Sequence, residues 1–451
     1  MSNRTEYTEL FRSHRDKLEA VCAPGLNAVR EQALQDFERL GFPEYGSEDY
    51  QQTNIKEAFG HDYGMNLKRF DMLIDPSGIF HCDVPSLSTS LYFMVNDGFY
   101  THRRPQASLP EGVFSGSLNE FALHYPEVFA RHYGKLADTS KDGLVAFNTL
   151  FAQDGYVLYI PKNTVIERPV QLINSLSGKV DTLCNRRLLI IAEENAQGKL
   201  LVCDHTIDED RKFLSTQVVE IFAGKNAVLD MYELEESSLK TTRFSSVFVS
   251  QDSYSNVVLN GTTLFNGLSR NNFQVELNGE NAETHVSGVV ISDGVQHTDN
   301  FVRIEHNVPN CLSNQLFKYV LDGSSVGAFT GRILVAQDAQ KTNAYQTNRN
   351  LCVTPESRMF SKPQLEIYAD DVKCSHGMTT GQLDDNALFY LRSRGISEKE
   401  ARLLLMFAFA SDVLEYIRID SLKDRLHQLV EKRFRGELAK CRDHCEKCMK
   451  R

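Results

Sequence analysis

The sequence predicts a mainly β fold, most simply an extended β-solenoid, and three observations point to it. Between about residues 155 and 380 no segment keeps a helical period. Short β-type runs recur there at intervals of roughly 8 to 15 residues, too close for a crossover helix between them. Turn clusters such as Phe222-Ala223-Gly224-Lys225-Asn226, Asn260-Gly261, Asn278-Gly279-Glu280-Asn281 and Asp322-Gly323-Ser324-Ser325 separate the runs. A β-helix accommodates this length because each coil buries its inward residues against its neighbours. A large sandwich or jelly roll fits the same periodicity and stands as the alternative at this point.

The chain opens as helix. Leu18, Val21, Leu26, Val29, Ala33, Leu34, Phe37 and Leu40 recur at helical spacing around a turn at Ala23-Pro24-Gly25, and Gly41-Phe42-Pro43 stops the second helix. From 60 to 140 the pattern is mixed, with short helices expected at 120–123 and 127–130. The β runs begin at 156–160 and 164–166 and pass through 188–191, 199–202, 218–222, 227–232 and 245–249. They continue at 273–277, 286–291, 301–306 and 315–321, and end at 332–335 and 365–368.

After Gly381 the helical period returns. Asp384 caps a predicted helix over 385–394, and Gly395 ends it. Ser397 and Glu400 are spaced as a capping box, with Glu400 reaching back. The helix they open places Ala401, Leu404, Leu405, Ala408, Phe409 and Val413 on one face. A third helix starts near Ser421 and carries Leu426, Leu429, Val430 and Phe434. Two short helices with wide apolar faces must dock on the body, on a partner, or on both. The expected organisation is a helical and mixed segment over 1–150, a β body over 151–380 and a helical segment over 381–451.

Composition narrows the function. A net charge of −11 disfavours non-specific binding to nucleic acid or to an anionic membrane. No apolar run is long enough to span a bilayer, and the N-terminus lacks the apolar core of a signal peptide, so a cytoplasmic location is expected. Ten cysteines in 451 residues are too sparse for a disulfide framework. No GxxxxGK[ST] loop is present, so any ATPase activity belongs to another chain. No nucleophile with an adjacent base is evident either.

The stretch Cys374-Ser375-His376-Gly377 is the most informative. On a continuing strand Val372, Cys374 and His376 share parity and emerge on one face. A thiol and an imidazole two residues apart make a candidate half-site for a soft or borderline metal, to be completed by a partner chain. The plainer reading is a buried cysteine beside a hydrogen-bonded histidine. Cys441, His444, Cys445 and Cys448 form a second candidate metal set, set against an exposed, oxidisable terminal peptide. His285, His297 and His306 lack ligand spacing and are expected to be core or surface residues. Asn348-Arg349-Asn350 is expected to be a structural turn.

A family resemblance rests on residues 364–377, on Gly381-Gln382-Leu383-Asp384, and on Leu388 through Ile396. It extends through Asn148-Thr149-Leu150-Phe151, Arg168-Pro169-Val170, Gln346 through Leu351, and the opening Phe37 to Thr53. These residues resemble the SufB/SufD family of iron–sulfur cluster assembly scaffolds, and its SufD branch in particular. The SufB branch has a stretch similar to Cys-Glu-His-Glu, whereas both carboxylates are missing here. The resemblance implies a right-handed parallel β-helix flanked by helices and a non-catalytic scaffold role. It implies pairing with SufB along the β-helix and binding of the ATPase SufC through the C-terminal helices, with Leu391, Leu404, Leu405 and Phe409 as contact residues. It places His376, and less firmly Cys374, at a cluster-forming interface. No stably bound cofactor is implied, but transient iron or an iron–sulfur cluster is expected in the complex, and reduced flavin is a further candidate. An isolated chain is expected to pair with itself through the free edge.

The alternative is a solitary β-helix that binds or cleaves polysaccharide. Such proteins need paired carboxylates and aromatic platforms in an open groove. The sequence has no tryptophan and places its ligand-like residues at the β-to-helix junction.

Overall fold

Each coil of the β body turns at a residue in the left-handed region: Asn163, Asn195, Asn226, Tyr254, Asn281, Asn310 and Lys341 have φ between 57° and 65°. Asparagine tolerates this conformation because its short amide bonds locally. Here the amides also bond from coil to coil, Asn195 donating to Asn163 at 2.7 Å and Asn226 to Asn195 at 2.9 Å. The next residue turns inward and is small: Ala196, Ala227, Ser255, Ala282, Cys311 and Thr342 are at most 1% exposed.

The structure is a computed structural model describing residues 3–69, 74–76, 90–102 and 108–437. Its chain starts with helices α1 (Asn3–Val21), α2 (Pro24–Asn27), α3 (Arg30–Leu40) and α4 (Ile55–Ala58). Strands β1 (Gly64–Met65), β2 (Leu91–Val95), β3 (Gly98–Phe99) and β4 (Phe114–Ser117) follow. Helices α5 (Leu118–His124), α6 (Pro126–His132) and α7 (Gly143–Phe151) lead into the β body.

The body begins with β5 (Tyr156–Ile160), β6 (Val170–Leu176), β7 (Thr182–Ala192) and β8 (Gln197–Thr206). It continues with β9 (Phe213–Ala223), β10 (Val228–Glu236), β11 (Thr241–Gln251) and β12 (Asn256–Phe265). Next come β13 (Leu268–Leu277), β14 (Glu283–Ser292), β15 (His297–His306) and β16 (Leu312–Leu321). It closes with β17 (Val326–Val335), β18 (Asn343–Cys352), β19 (Arg358–Ile367) and β20 (Lys373–Gly381). Odd strands from β5 to β19 stack in one sheet and even strands from β6 to β20 in the other, every neighbour parallel. That is a parallel β-solenoid, and it decides against the sandwich.

The segment before residue 151 contributes strands to both sheets. β4 pairs antiparallel with β5, and β2 pairs parallel with β6. Around them the helices bury an aromatic cluster in which Phe42 stacks on Phe59 at 4.0 Å and Phe37 meets Phe42 edge-on at 5.1 Å. Asn148-Thr149-Leu150-Phe151 lies on α7, a helix buried along its whole length and capped by Asp142.

The lumen is divided. One half is apolar, filled by residues such as Leu188, Leu229, Val257, Val286 and Ile304. The other half carries a buried ionic network. Arg186 and Arg243 meet Asp204 at 2.6 and 3.1 Å, and Arg243 meets Glu233 at 3.0 Å. Buried charges persist only when paired in this way.

Three expectations are corrected. Asn348-Arg349-Asn350 is not a turn: it lies inside β18, where the two asparagines face the lumen and bond each other at 2.7 and 3.0 Å. Asn260-Gly261 lies inside β12, Asn260 bonding Ser287 at 2.7 Å and Gly261 standing in register with Gly288 where the Phe317 ring needs room. The run at 164–166 forms only an isolated bridge, Val165 to Gln197. Burial in the lumen at Asn348 and Asn350, and at Asn260 a hydrogen bond to the Val413 carbonyl at 3.2 Å, outweigh the local turn preference of these segments.

Helices α8 (Asp385–Ser393), α9 (Glu398–Leu414) and α10 (Asp420–Phe434) complete the chain. Ala410, Val413, Leu414, Leu422, Leu426 and Leu429 pack on Leu201, Tyr232, Val258, Val289 and Ile291 of the even-strand sheet. No described helix is long and apolar enough to cross a membrane.

Candidate functional site at the open end of the solenoid

Strand β20 is held by β18 on one side, and among the described residues no strand pairs with its other side. β19 is likewise the last strand of its sheet. At the N-terminal end β4 continues one sheet and β2 and β3 the other, whereas at this end, among the described residues, no further strand takes up the outer backbone groups of β19 and β20. An unpaired edge of this length is a template for pairing with another chain.

The register decides which side chains face the opening. Ala344 pairs with Cys374, Gln346 with His376 and Asn348 with Met378. Ala344, Gln346 and Asn348 are buried in the lumen, so their partners on β20 share that face. Cys374 is half-buried against a small apolar cluster that includes Ala344, Val335, Ala369 and Val372. Burial pushes its thiol up, so the thiol is protonated at neutral pH unless a metal displaces the proton. His376 is exposed at the mouth. The expected shared parity of Cys374 and His376 is therefore present, with the two residues differing in access.

Directly below His376 lie two buried amides in one register column, Gln315 and Gln346. Gly331 makes room for the second, because a Cβ there would stand 2.1 Å from the Gln346 amide nitrogen. Among the described residues, no three His, Cys, Asp or Glu side chains gather to hold a metal ion. The Cys441, His444, Cys445 and Cys448 set lies outside the described residues.

The C-terminal helices form the second part of the site. Asp384 caps α8 as expected, accepting from the backbone of Asn386 and Ala387, and Gly395 follows at φ 88°. Ser397 caps α9 through Glu400 N–H, while the Glu400 carboxylate accepts from Arg435 at 2.9 and 3.1 Å. The expected apolar face of α9 is split. Ala401, Leu403, Ala410, Val413 and Leu414 are buried, Leu391, Leu405 and Phe409 half-buried, and Leu404 is 42% exposed. Beside it Phe389 and Tyr390 are 74% and 57% exposed, a patch that periodicity alone did not single out.

Three cations pin this hairpin to the body. Lys318 donates to the Phe409 carbonyl and to Asp412, Arg418 pairs with Asp230 at 3.1 Å, and Arg433 pairs with Asp293 at 2.9 Å. His285 and His306 have structural partners. His306 is fully buried, bonds Ser313 at 2.8 Å and is pushed down to about 4 by burial, hence neutral. His285 pairs with Glu283 at 2.7 Å, and Asp299 is held by Arg270 and Thr53 at 2.6 and 2.7 Å.

Comparison with known proteins adds a family match over both halves of the chain. Residues 174–409 match the model described as the SUF system FeS cluster assembly SufBD core domain, and residues 1–172 match the SufBD protein N-terminal region. An iron–sulfur cluster assembly SufBD family protein of Synechocystis is 31% identical over 400 residues, 87% of each chain. The iron–sulfur cluster assembly protein SufD of Bacillus subtilis is 26% identical over 72% of this chain and 75% of its own. SufD of Escherichia coli is 40% identical over 167 residues, 37% of this chain and 40% of its own.

Proposed function

This chain belongs to the SufB/SufD family of iron–sulfur cluster assembly proteins, and we propose that it serves as the SufD-type, non-catalytic scaffold of a SUF complex. One observation carries the reading: the solenoid ends in two strands that, among the described residues, pair on one side only, with His376 exposed at the mouth and Cys374 just inside it. A SufB-type chain adding its own strands there would satisfy the free backbone groups and bring further ligands to His376. Iron or a nascent cluster is then cargo at a shared face. When no such partner is present, a second copy of this chain would take the edge. The exposed Phe389, Tyr390 and Leu404, with Leu391, Leu405 and Phe409 half-buried beside them, supply an apolar face for the ATPase SufC.

Co-expression with SufB-type and SufC-type chains tests both contacts. Gly377→Lys introduces an edge charge at a site where a Cβ meets nothing within 4 Å, so the fold survives and strand pairing is lost. Phe389→Asp with Leu404→Asp should release the ATPase and keep the SufB-type partner. His376→Ala should leave both contacts intact and lower cluster yield. Recovery of the intact complex from the Gly377 and Phe389/Leu404 variants, or unchanged cluster yield in His376→Ala, would sink the reading.

A further inference from the structure

One face of β20 carries three soft donors in succession: the Cys374 thiol, the His376 imidazole and the Met378 thioether. Side chains two residues apart on a strand stand about 6.5 Å apart at Cα, within reach of a common ion for adjacent members of the row. Cys374 is drawn under Ala344 and Ala369, which leaves His376 and Met378 as the accessible pair. Met378 is 45% exposed and its sulfur lies 4.0 Å from the Thr380 hydroxyl on the same face. On the same face its strand neighbours are His376 and Thr380, and its register partner on β18 is Asn348, all of them polar.

We propose that His376 and Met378 form a two-ligand site for a thiophilic monovalent metal, Cu(I). Imidazole and thioether are neutral donors that suit soft or borderline ions, and thioether selects Cu(I) over the harder divalent cations. The row supplies no carboxylate, the donor that magnesium, calcium and manganese prefer. Met378 has a flexible, polarizable side chain that swings toward the imidazole without moving the backbone. The consequence is a copper-sensitive position at the very residue proposed for cluster formation. The proposal stands on the geometry of β20 alone and does not require the pairing with other chains.

The test uses the full chain with Cys441, Cys445 and Cys448 changed to serine, so that tail thiols do not hold the metal. Anaerobic titration with Cu(I) against a chromogenic Cu(I) chelator should show one ion bound per chain. Met378→Leu and His376→Ala should each weaken it about tenfold or more, at least the loss seen on removing an outer-shell partner of a metal. X-ray absorption should show a sulfur neighbour that disappears in Met378→Leu and persists in Cys374→Ser. Met378→Leu preserves side-chain bulk at an exposed position, and an unchanged far-UV spectrum confirms its fold. Unaltered affinity in Met378→Leu, a sulfur signal that follows Cys374, or no Cu(I) binding would each overturn the assignment.

Discussion

The Nζ of Lys318 lies 2.6 Å from the Asp412 carboxylate and 2.8 Å from the Phe409 carbonyl, tying the middle of β16 to helix α9. The Lys318 side chain is 3% exposed, whereas that of Asp412 is 59% exposed. The interaction therefore works chiefly by satisfying a buried ammonium group. The Phe409 ring lies 4.8 Å from the same nitrogen and adds a cation–π contact.

Lys318→Ala is expected to loosen the C-terminal hairpin before it affects the solenoid. A charge-assisted hydrogen bond of this kind contributes about 1.5–3 kcal/mol, reduced here by the exposure of Asp412. Hydrogen exchange should accelerate over 398–434 and stay unchanged in β7 to β13. Binding of the SufC-type ATPase should weaken in parallel. Exchange identical to the wild type across the hairpin would show that apolar packing alone holds it.

Lumen electrostatics predict a stability that depends on pH. Burial, the largest influence, pushes the Glu235 carboxyl up from 4.5 to about 7, against the favourable field of Arg243 and the Ser269 hydrogen bond. A carboxyl whose folded value is raised favours folding below its unfolded value, and that advantage is lost as pH climbs to the folded value. Stability should therefore fall between pH 4.5 and 7, by on the order of 3 kcal/mol. Glu235→Gln should flatten this decline and gain on the wild type at pH 8. Denaturant midpoints at pH 5 and pH 8 measure the effect, and equal slopes in the two proteins would refute it.

The closest backbone approach in the N-terminal cap lies at Gly143. A Cβ there would stand 1.6 Å from the Gly41 carbonyl oxygen, an atom fixed at the end of α3. Gly143→Ala must separate α7 from α3 and should cost about 3 kcal/mol or more. Thermal denaturation reads this directly. A loss below the level of an ordinary surface change would mean that the cap shifts freely on the solenoid.

Much of this architecture was legible because its causes are local. Strand periodicity marked the body, Asp384 and Ser397 marked two helix starts, and the parity of Cys374 and His376 followed from alternation. Another signal was present and passed over: an asparagine followed by a small residue recurs about every 30 residues at one corner, a solenoid repeat in itself. The turn reading of Asn348-Arg349-Asn350 failed because amides that usually serve loops here fill a polar lumen. The strands at 91–95 and 114–117 escaped notice because their pairing partners lie 39 to 80 residues further along the chain.

The sequence by itself determined the fold class, the helical ends, the family resemblance and the Cys374 and His376 pair, since period, capping and motif are properties of neighbouring residues. Only the tertiary structure decided which of those residues meet solvent. Stacking of β20 on β18 turned His376 and Met378 toward an open end and tucked Cys374 against Ala344. Docking of α9 on β14 and β16 left Phe389, Tyr390 and Leu404 uncovered. Burial is set by contacts between residues distant in the chain, and a single periodic pattern carries no record of which face will find a partner.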